Sequence, residues 1–161
     1  MQFLLNSKPL LDEYFPTLAG RWRLSRSIST GEHFSGIADF VKTSDRVLLL
    51  KEQGNLFLNN GSKCASSRSW IWENSGSDIL NIYYDEAERR LYHRLKVKAD
   101  GALLAASGEH LCVKDRYRGH YSMGANKLVI KQGIEGPAKN YSIESIYVRV
   151  NQSNDRTISP E

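Results

Sequence analysis

The residues best suited to chemistry in this sequence are a histidine and two tyrosines in its second half. His110 and Cys112 lie in a segment of alternating pattern that predicts a strand, so both side chains point to one face. Imidazole titrates near neutral pH, and His110 with Tyr117 or Tyr121 could therefore act as a general acid–base pair. Alternate side chains on a strand stand roughly 6.5–7 Å apart. That spacing argues against a Cys112 nucleophile activated by His110.

A second group of residues has the chemistry to bind a small anion. Alternation places Arg26 on one face with Trp22, and Arg68 on one face with two tryptophans. Buried charges cost several kcal/mol each unless they are paired, so Glu52, Asp115 or the ligand must balance them. The structural alternative is that the arginines bind backbone carbonyls at a closed end while the aromatic residues form ordinary core. The predicted ligand-binding residues are Arg26, Arg68, Trp70, Trp72, His93, His110 and Tyr121.

The sequence lacks the motifs that are typical of several classes of enzyme reaction. The chain has no serine elbow, phosphate-binding glycine loop or paired-carboxylate motif. Cys64 and Cys112 are far apart and lack zinc-finger spacing. His93 or His110 could ligate a haem, and the two histidines with Asp115 could form a metal site. Isolated histidines are weak evidence for either kind of site. We therefore predict no metal and no cofactor.

The composition of the chain limits the classes of partner that we predict for it. The 161 residues carry a formal charge of +4, with 40% hydrophobic and 25% charged residues, which is ordinary for one globular domain. Basic residues are scattered among acids, so we predict no nucleic-acid partner. No apolar run approaches the roughly 20 residues that span a bilayer, and the N-terminus lacks a signal-peptide pattern. These features predict a cytoplasmic protein without a membrane partner, and they leave its oligomeric state open.

A short helix is predicted over residues 8–15. Ser7 can cap it, Pro9 suits its first turn, and Pro16 should end it. Its leucines and aromatic residues form one apolar face, which could cover a barrel mouth or pack on the outer wall.

The rest of the chain reads as about ten short strands. They are predicted over residues 21–28, 33–41, 47–52, 55–58, 66–73, 79–84, 90–97, 102–114, 117–123, 127–134 and 141–150. Turn signals such as Asn59-Asn60-Gly61 and Asp100-Gly101 separate many of them. Short sequential connections favour a single all-β domain over residues 1–150, an up-and-down antiparallel barrel of about 8–10 strands. Residues 151–161 read as a disordered tail.

Gly20-x-Trp22 in the first strand, with Arg149 in the last, resembles the lipocalin and calycin signature. That resemblance implies a structural closure by Gly20, Trp22 and Arg149, with the arginine stacked on the indole. The chain resembles more specifically a bacterial and fungal family of uncharacterised lipocalin-like domains. The motifs that carry this resemblance are Leu18-Ala19-Gly20-Arg21-Trp22, Arg90-x-Tyr92-His93, His110-x-Cys112-x-x-Asp115-x-Tyr117-x-Gly119-x-Tyr121, Gly136-Pro137-x-Lys139-x-Tyr141 and Tyr147-x-Arg149. Tyr92 and Asn140 depart from the family pattern. The resemblance implies a fold and no established activity.

Three hypotheses for function follow. The first is a barrel that binds a small anionic, amphipathic or aromatic-acid ligand in its lumen. The second is an enzyme that uses a lumen His/Tyr pair for acid–base chemistry on a small molecule. The third is a filled barrel that serves as a protein-interaction scaffold. A cavity of a few hundred Å³ is typical of the first two, and a solid interior of the third.

Overall fold

The computed structural model describes residues 9–151, so the predicted Ser7 cap and the tail after residue 151 lie outside the described residues. Helix α1 spans Leu10–Tyr14 and continues directly into a 3-10 helix, Phe15–Leu18. The α-helix ends before Pro16, as predicted, and the chain continues as a 3-10 helix. Pro16 lies at the start of the 3-10 helix, where its missing N–H costs no hydrogen bond.

Eleven strands follow. They are β1 Gly20–Ile28, β2 His33–Ser44, β3 Val47–Phe57, β4 Lys63–Gly76, β5 Ile79–Tyr84, β6 Leu91–Lys96, β7 Lys98–Asp100, β8 Leu103–Cys112, β9 Asp115–Met123, β10 Lys127–Glu135 and β11 Asn140–Arg149. All pair antiparallel in one sheet of order β6-β5-β4-β3-β2-β1-β11-β10-β9-β8-β7. The predicted all-β antiparallel barrel is confirmed, with eleven strands in place of 8–10.

The two edges of the sheet approach each other where β6 passes into β7. β6 pairs with β5, the Val97 N–H then donates to the Asp78 carbonyl at 2.8 Å, and β7 pairs with β8. β8 also lies close to β6. A Cβ added to Gly108 of β8 would stand only 2.5 Å from Leu95 Cδ2 and 3.4 Å from the Arg94 carbonyl oxygen of β6. Glycine therefore permits the close approach that nearly closes the barrel.

One predicted strand break is wrong. The segments 47–52 and 55–58 form a single strand, β3, and Gly54 within it pairs with Gly36 of β2. A Cβ on Gly54 would lie 2.6 Å from the Gly36 Cα, so the two backbones are too close for any side chain there. This glycine serves strand packing and not a turn.

The helical segment covers one end of the barrel. The Leu11 N–H donates to the Asp78 carboxylate at 2.8 Å, and the Tyr14 hydroxyl donates to the Gly124 carbonyl at 2.7 Å. These acceptors lie in turns at the end where β1 begins. The buried Leu11, Phe15 and Leu18 therefore seal that end, and the opposite end is left as the mouth.

Candidate functional site

The sealed end holds the three residues of the sequence signature. The Arg149 guanidinium carbon lies 4.2 Å from the centroid of the fully buried Trp22 ring. Trp22 donates its indole N–H to the Leu18 carbonyl at 3.0 Å, and Arg149 donates to the Thr17 carbonyl at 2.6 Å. Gly20 has a φ of +127°, which favours glycine. This end of the barrel is therefore closed by packed side chains and by hydrogen bonds to backbone carbonyls.

The open end is lined by five rings, which we call the aromatic mouth. Neighbouring ring centroids in this cluster lie between 5.0 and 6.4 Å apart, mostly tilted or edge to face. The rings come from five different strands. They belong to Trp70, Tyr84, Tyr92, His110 and Tyr117. Such rings provide apolar faces with polar edges, which suits a planar ligand.

A β-bulge brings Tyr92 into this site. Ile82 pairs with His93, but its neighbour Tyr83 pairs with Leu91, so β6 contains one extra residue. As a result Tyr92 and His93 are consecutive and both buried. Strict alternation directs such neighbours to opposite faces, and for this reason sequence reasoning missed Tyr92 as a site residue.

Cations stand around the aromatic mouth. Arg68 lies over the Trp70 ring at 4.6 Å and Arg90 over the Tyr84 ring at 4.3 Å. Arg68 is exposed at the rim, in contrast to its predicted place in the lumen. The Lys139 ammonium lies 3.3 Å from the Asp115 carboxylate, so Asp115 balances a lysine and not an interior charge.

Beneath the mouth, Arg26 forms an interior ion pair. Its Nη2 donates to both oxygens of Glu52, at 3.0 and 3.1 Å, and its Nε donates to the Ser145 hydroxyl at 2.7 Å. The Tyr147 hydroxyl also donates to Glu52, which is only 2% exposed. Burial disfavours the Arg26 charge, but Tyr147 and Glu52 outweigh burial and raise the pKa of Arg26. The arginine is charged, and Glu52 compensates that charge.

His93 is fully buried and uncharged at neutral pH. Its Nδ1 lies 2.7 Å from the Tyr121 hydroxyl, and its Nε2 lies 3.4 Å from the Tyr117 carbonyl oxygen. Burial lowers the pKa of His93 to about 4. The imidazole fits because residue 119 is a glycine. A Cβ at Gly119 would lie only 2.6 Å from the His93 Cε1. At neutral pH this histidine therefore carries no charge that could attract an anion.

His110 lies half-buried in the aromatic mouth. Burial and the nearby Arg90 lower the pKa of His110. Its ring centroid is 5.9 Å from that of Tyr117, while the Tyr121 hydroxyl is engaged by His93. The hydrogen-bonded His/Tyr pair of this barrel is therefore His93 with Tyr121.

A cavity of about 40 Å³ separates the mouth from the interior ion pair. A buried water needs roughly 10–15 Å³ of such space, so the cavity has room for a few waters. This volume is well below the few hundred Å³ expected for an open lumen, and side chains fill most of the barrel. The cavity is lined by Arg26, Leu50, Trp70, Trp72, Ile82, Tyr92, Tyr121, Ile130, Gln132, Ser145 and Tyr147.

A larger depression of about 760 Å³ lies on the outer surface of β8, β9 and β10. Charged groups along it form exposed pairs, such as Arg118 with Glu135 at 3.6 Å. It is more open than the interior cavity and has fewer aromatic walls, so it fits a small planar ligand less well.

Among residues 9–151, no three His, Cys, Asp or Glu side chains are grouped so that they could hold a metal ion. None of the helices in the same range is long and apolar enough to cross a bilayer.

Comparisons with known proteins agree with the architecture. A family model described as "Family of unknown function (DUF6314)" matches residues 18–149. None of the curated protein sequences matches the chain.

Solved structures of similar fold share little sequence with this chain. Rv2717c from M. tuberculosis is 10% identical with a TM-score of 0.65, covering 90% of this chain and 100% of its own. The S-type phycobiliprotein lyase CPES from Guillardia theta is 10% identical with a TM-score of 0.62, covering 88% and 93%. A designed barrel, EF1p2_mFAP2b, solved bound to DFHBI, is 12% identical with a TM-score of 0.50, covering 87% and 99%. At these identities the likeness shows the fold alone.

Proposed function

We propose that this chain, which belongs to the family of unknown function DUF6314, binds a small planar anion, an aromatic acid, at the open mouth of its barrel. The observation that carries the proposal is the aromatic mouth with arginines stacked on two of its rings. Rings on several sides provide the apolar walls of a small-molecule site, and a few polar groups orient the ligand.

The charges at the rim favour an acid over a neutral aromatic molecule. Arg68 and Arg90 stack on rings of the mouth at 4.6 and 4.3 Å. Arg90 also donates to the Glu86 carboxylate at 3.2 Å, so Arg68 is the better candidate to meet a ligand carboxylate. A guanidinium on an aromatic face keeps edge N–H groups available for a carboxylate. Arg26 is less suited to this role, because Glu52 already compensates its charge.

Binding requires side chains to move. The cavity of about 40 Å³ is too small for an aromatic ring, so a ligand has to enter between rings that now touch. Trp70 and Tyr84 are only partly buried, and their rotation would open the mouth without disturbing the core at the sealed end. Rotamer changes of this size are common when proteins bind partners.

The fold is compatible with this proposal. A designed barrel of similar fold was solved bound to DFHBI, and another protein of similar fold is a phycobiliprotein lyase. The designed barrel holds a small molecule, and this supports small-molecule binding here without identifying the ligand.

The experiment is calorimetric titration with 2-naphthoate. We expect binding by the wild type and binding about fivefold weaker in Arg68→Gln, which corresponds to loss of roughly 1 kcal/mol from one exposed charge contact. The matched control is Arg89→Gln, because Arg89 stacks on Tyr83 at 4.3 Å on the other face of β5. Absence of binding, or equal weakening in the two variants, would contradict the proposal.

Acid–base chemistry on the bound ligand is a second candidate. It is supported by the hydrogen bond between His93 and Tyr121, because the Tyr121 ring lines the cavity. Mass spectrometry after incubation with 2-naphthoate or a hydroxylated analogue tests it, and unchanged ligand counts against turnover. If no aromatic acid binds at all, the filled interior instead favours an interaction scaffold.

We also propose a cytoplasmic location. Cys64 is exposed and Cys112 half-buried, and both are free. Free thiols in accessible positions are typical of proteins in reducing compartments. Imaging of the fluorescently tagged protein in its native cell tests this assignment.

A further inference from the structure

We infer that the cavity beneath the aromatic mouth is a subsite for an uncharged hydrogen-bonding group, above all a hydroxyl. This inference rests on the proposed function and narrows its ligand class. The ligand would be an aromatic acid whose carboxylate stays at the rim and whose hydroxyl, at the opposite end of the ring system, enters the cavity.

The charges around the cavity argue against a second carboxylate. Arg26 lines the cavity, but its Nη2 already donates to both oxygens of Glu52. Tyr147, another lining residue, gives its hydroxyl proton to the same carboxylate. A carboxylate in the cavity would meet an arginine whose charge is already compensated, and it would lie close to the negative charge of Glu52. These contacts would not offset the free-energy cost of removing the carboxylate from water.

The hydroxyl groups on the wall have hydrogen-bonding capacity left over. The Ser145 oxygen accepts from Arg26 Nε at 2.7 Å, so its own proton remains available for donation. The Tyr92 hydroxyl accepts from Gln132 Nε2 at 2.7 Å, which likewise leaves its proton to donate. Both residues line the cavity. The cavity thus offers two hydroxyl donors to a guest.

Acceptors are present on the same wall. The Tyr117 carbonyl oxygen can only accept, so the His93 Nε2 that faces it carries the proton and Nδ1 has the lone pair. Tyr121 therefore donates to Nδ1, and its oxygen keeps lone pairs for a guest. The Gln132 amide oxygen adds another acceptor, because its Nε2 is the atom bonded to Tyr92. A hydroxyl, which donates and accepts, matches this set of partners.

The size of the cavity fits the same class of group. About 40 Å³ holds a few water-sized groups, so a hydroxyl could take the place of a water and reproduce its hydrogen bonds. A methyl group would fill the volume but leave the wall hydroxyls and the amide without a partner.

The test compares three ligands by calorimetry: 2-naphthoate, 6-hydroxy-2-naphthoate and naphthalene-2,6-dicarboxylate. We expect the hydroxyl to tighten binding about fivefold, as for one net hydrogen bond, and the second carboxylate to weaken binding relative to 2-naphthoate. If 2-naphthoate binds but the hydroxyl gives no gain, or the dicarboxylate binds best, the inference is wrong and the proposed function stands. If none of the three binds, both fail.

Two variants locate the effect in the cavity. Tyr92→Phe keeps the ring but removes one wall hydroxyl, and it should reduce the affinity ratio of 6-hydroxy-2-naphthoate to 2-naphthoate at least twofold. Tyr83→Phe is the matched control, because that hydroxyl donates to Glu73 at 3.1 Å on the opposite face of β5. The control should keep the wild-type ratio. An unchanged ratio in Tyr92→Phe, with both ligands still bound, would overturn the assignment.

Discussion

The Glu52 carboxylate accepts two hydrogen bonds from a single nitrogen of Arg26, at 3.0 and 3.1 Å, inside the barrel. The two residues lie on β3 and β1, with β2 between them. β2 carries the small Ala38 on its inner face, opposite Glu52 in the strand register. The interior of the barrel therefore holds a compensated ion pair beside this small residue.

Removal of the Glu52 charge should strongly destabilise the fold. Glu52→Gln leaves Arg26 without its counter-charge, and breaking a buried pair in this way typically costs roughly 3–5 kcal/mol. Urea unfolding measures the loss. The control is Glu144→Gln, which removes a solvent-exposed pair with Lys131 at 3.8 Å and should cost about 1 kcal/mol or less. Equal effects of the two substitutions would contradict the account of the ion pair.

Acid should destabilise the protein through His93. Burial holds the pKa of His93 at about 4, against 6.5 for a free histidine, so between these values the unfolded chain binds a proton that the folded protein does not. Stability should therefore fall with decreasing pH from about 6.5 to about 4, by roughly 3 kcal/mol from this residue.

Urea unfolding at several pH values checks this contribution. His93→Gln should flatten the pH dependence in that range, whatever its effect at pH 7. His120→Gln is the control, because the His120 ring is exposed on the outer face of β9. A His93→Gln curve parallel to that of the wild type would show that other groups cause the acid sensitivity.

A single methyl group at Gly119 should displace the buried histidine. The added Cβ would lie 2.6 Å from His93 Cε1 and 2.9 Å from Tyr121 Cε1. We expect Gly119→Ala to cost about 1–3 kcal/mol by overpacking, measured as a shift in the urea midpoint. Gly133→Ala is the matched control on the neighbouring strand, where a Cβ meets nothing within 4 Å. That substitution should be neutral or slightly stabilising, and a similar loss at both positions would rule out the steric explanation.

The Trp22 ring should be a major source of stability. Trp22→Ala removes a fully buried indole and should cost roughly 3–5 kcal/mol. Trp22→Phe keeps a ring but loses the hydrogen bond to the Leu18 carbonyl, and it should cost less. Trp70→Ala, in the aromatic mouth, gives the stability loss for a less buried indole as a comparison. A melting temperature unchanged in Trp22→Ala would contradict the role of this residue in sealing the barrel.

Much of the fold could be predicted from the sequence. Alternation with period two is a local property of the backbone, so it predicts strands such as β1 and places Trp22 and Leu24 on the inner face without knowledge of the rest of the chain. The pairing of Trp22 with Arg149, first strand against last, was accessible only through a family resemblance, because alternation does not specify which strands meet.

The site was less predictable, because its properties depend on register. One bulge between β5 and β6 turns Tyr92 inward, and no residue type in that segment predicts the bulge. The ion pair of Arg26 with Glu52 and the burial of His93 against Gly119 join residues from strands distant in sequence. Sequence by itself determined most of the strands and the chemical types available at the site. Tertiary structure alone decided which charges cancel and how little space remains, because both depend on contacts between strands that local backbone geometry does not encode.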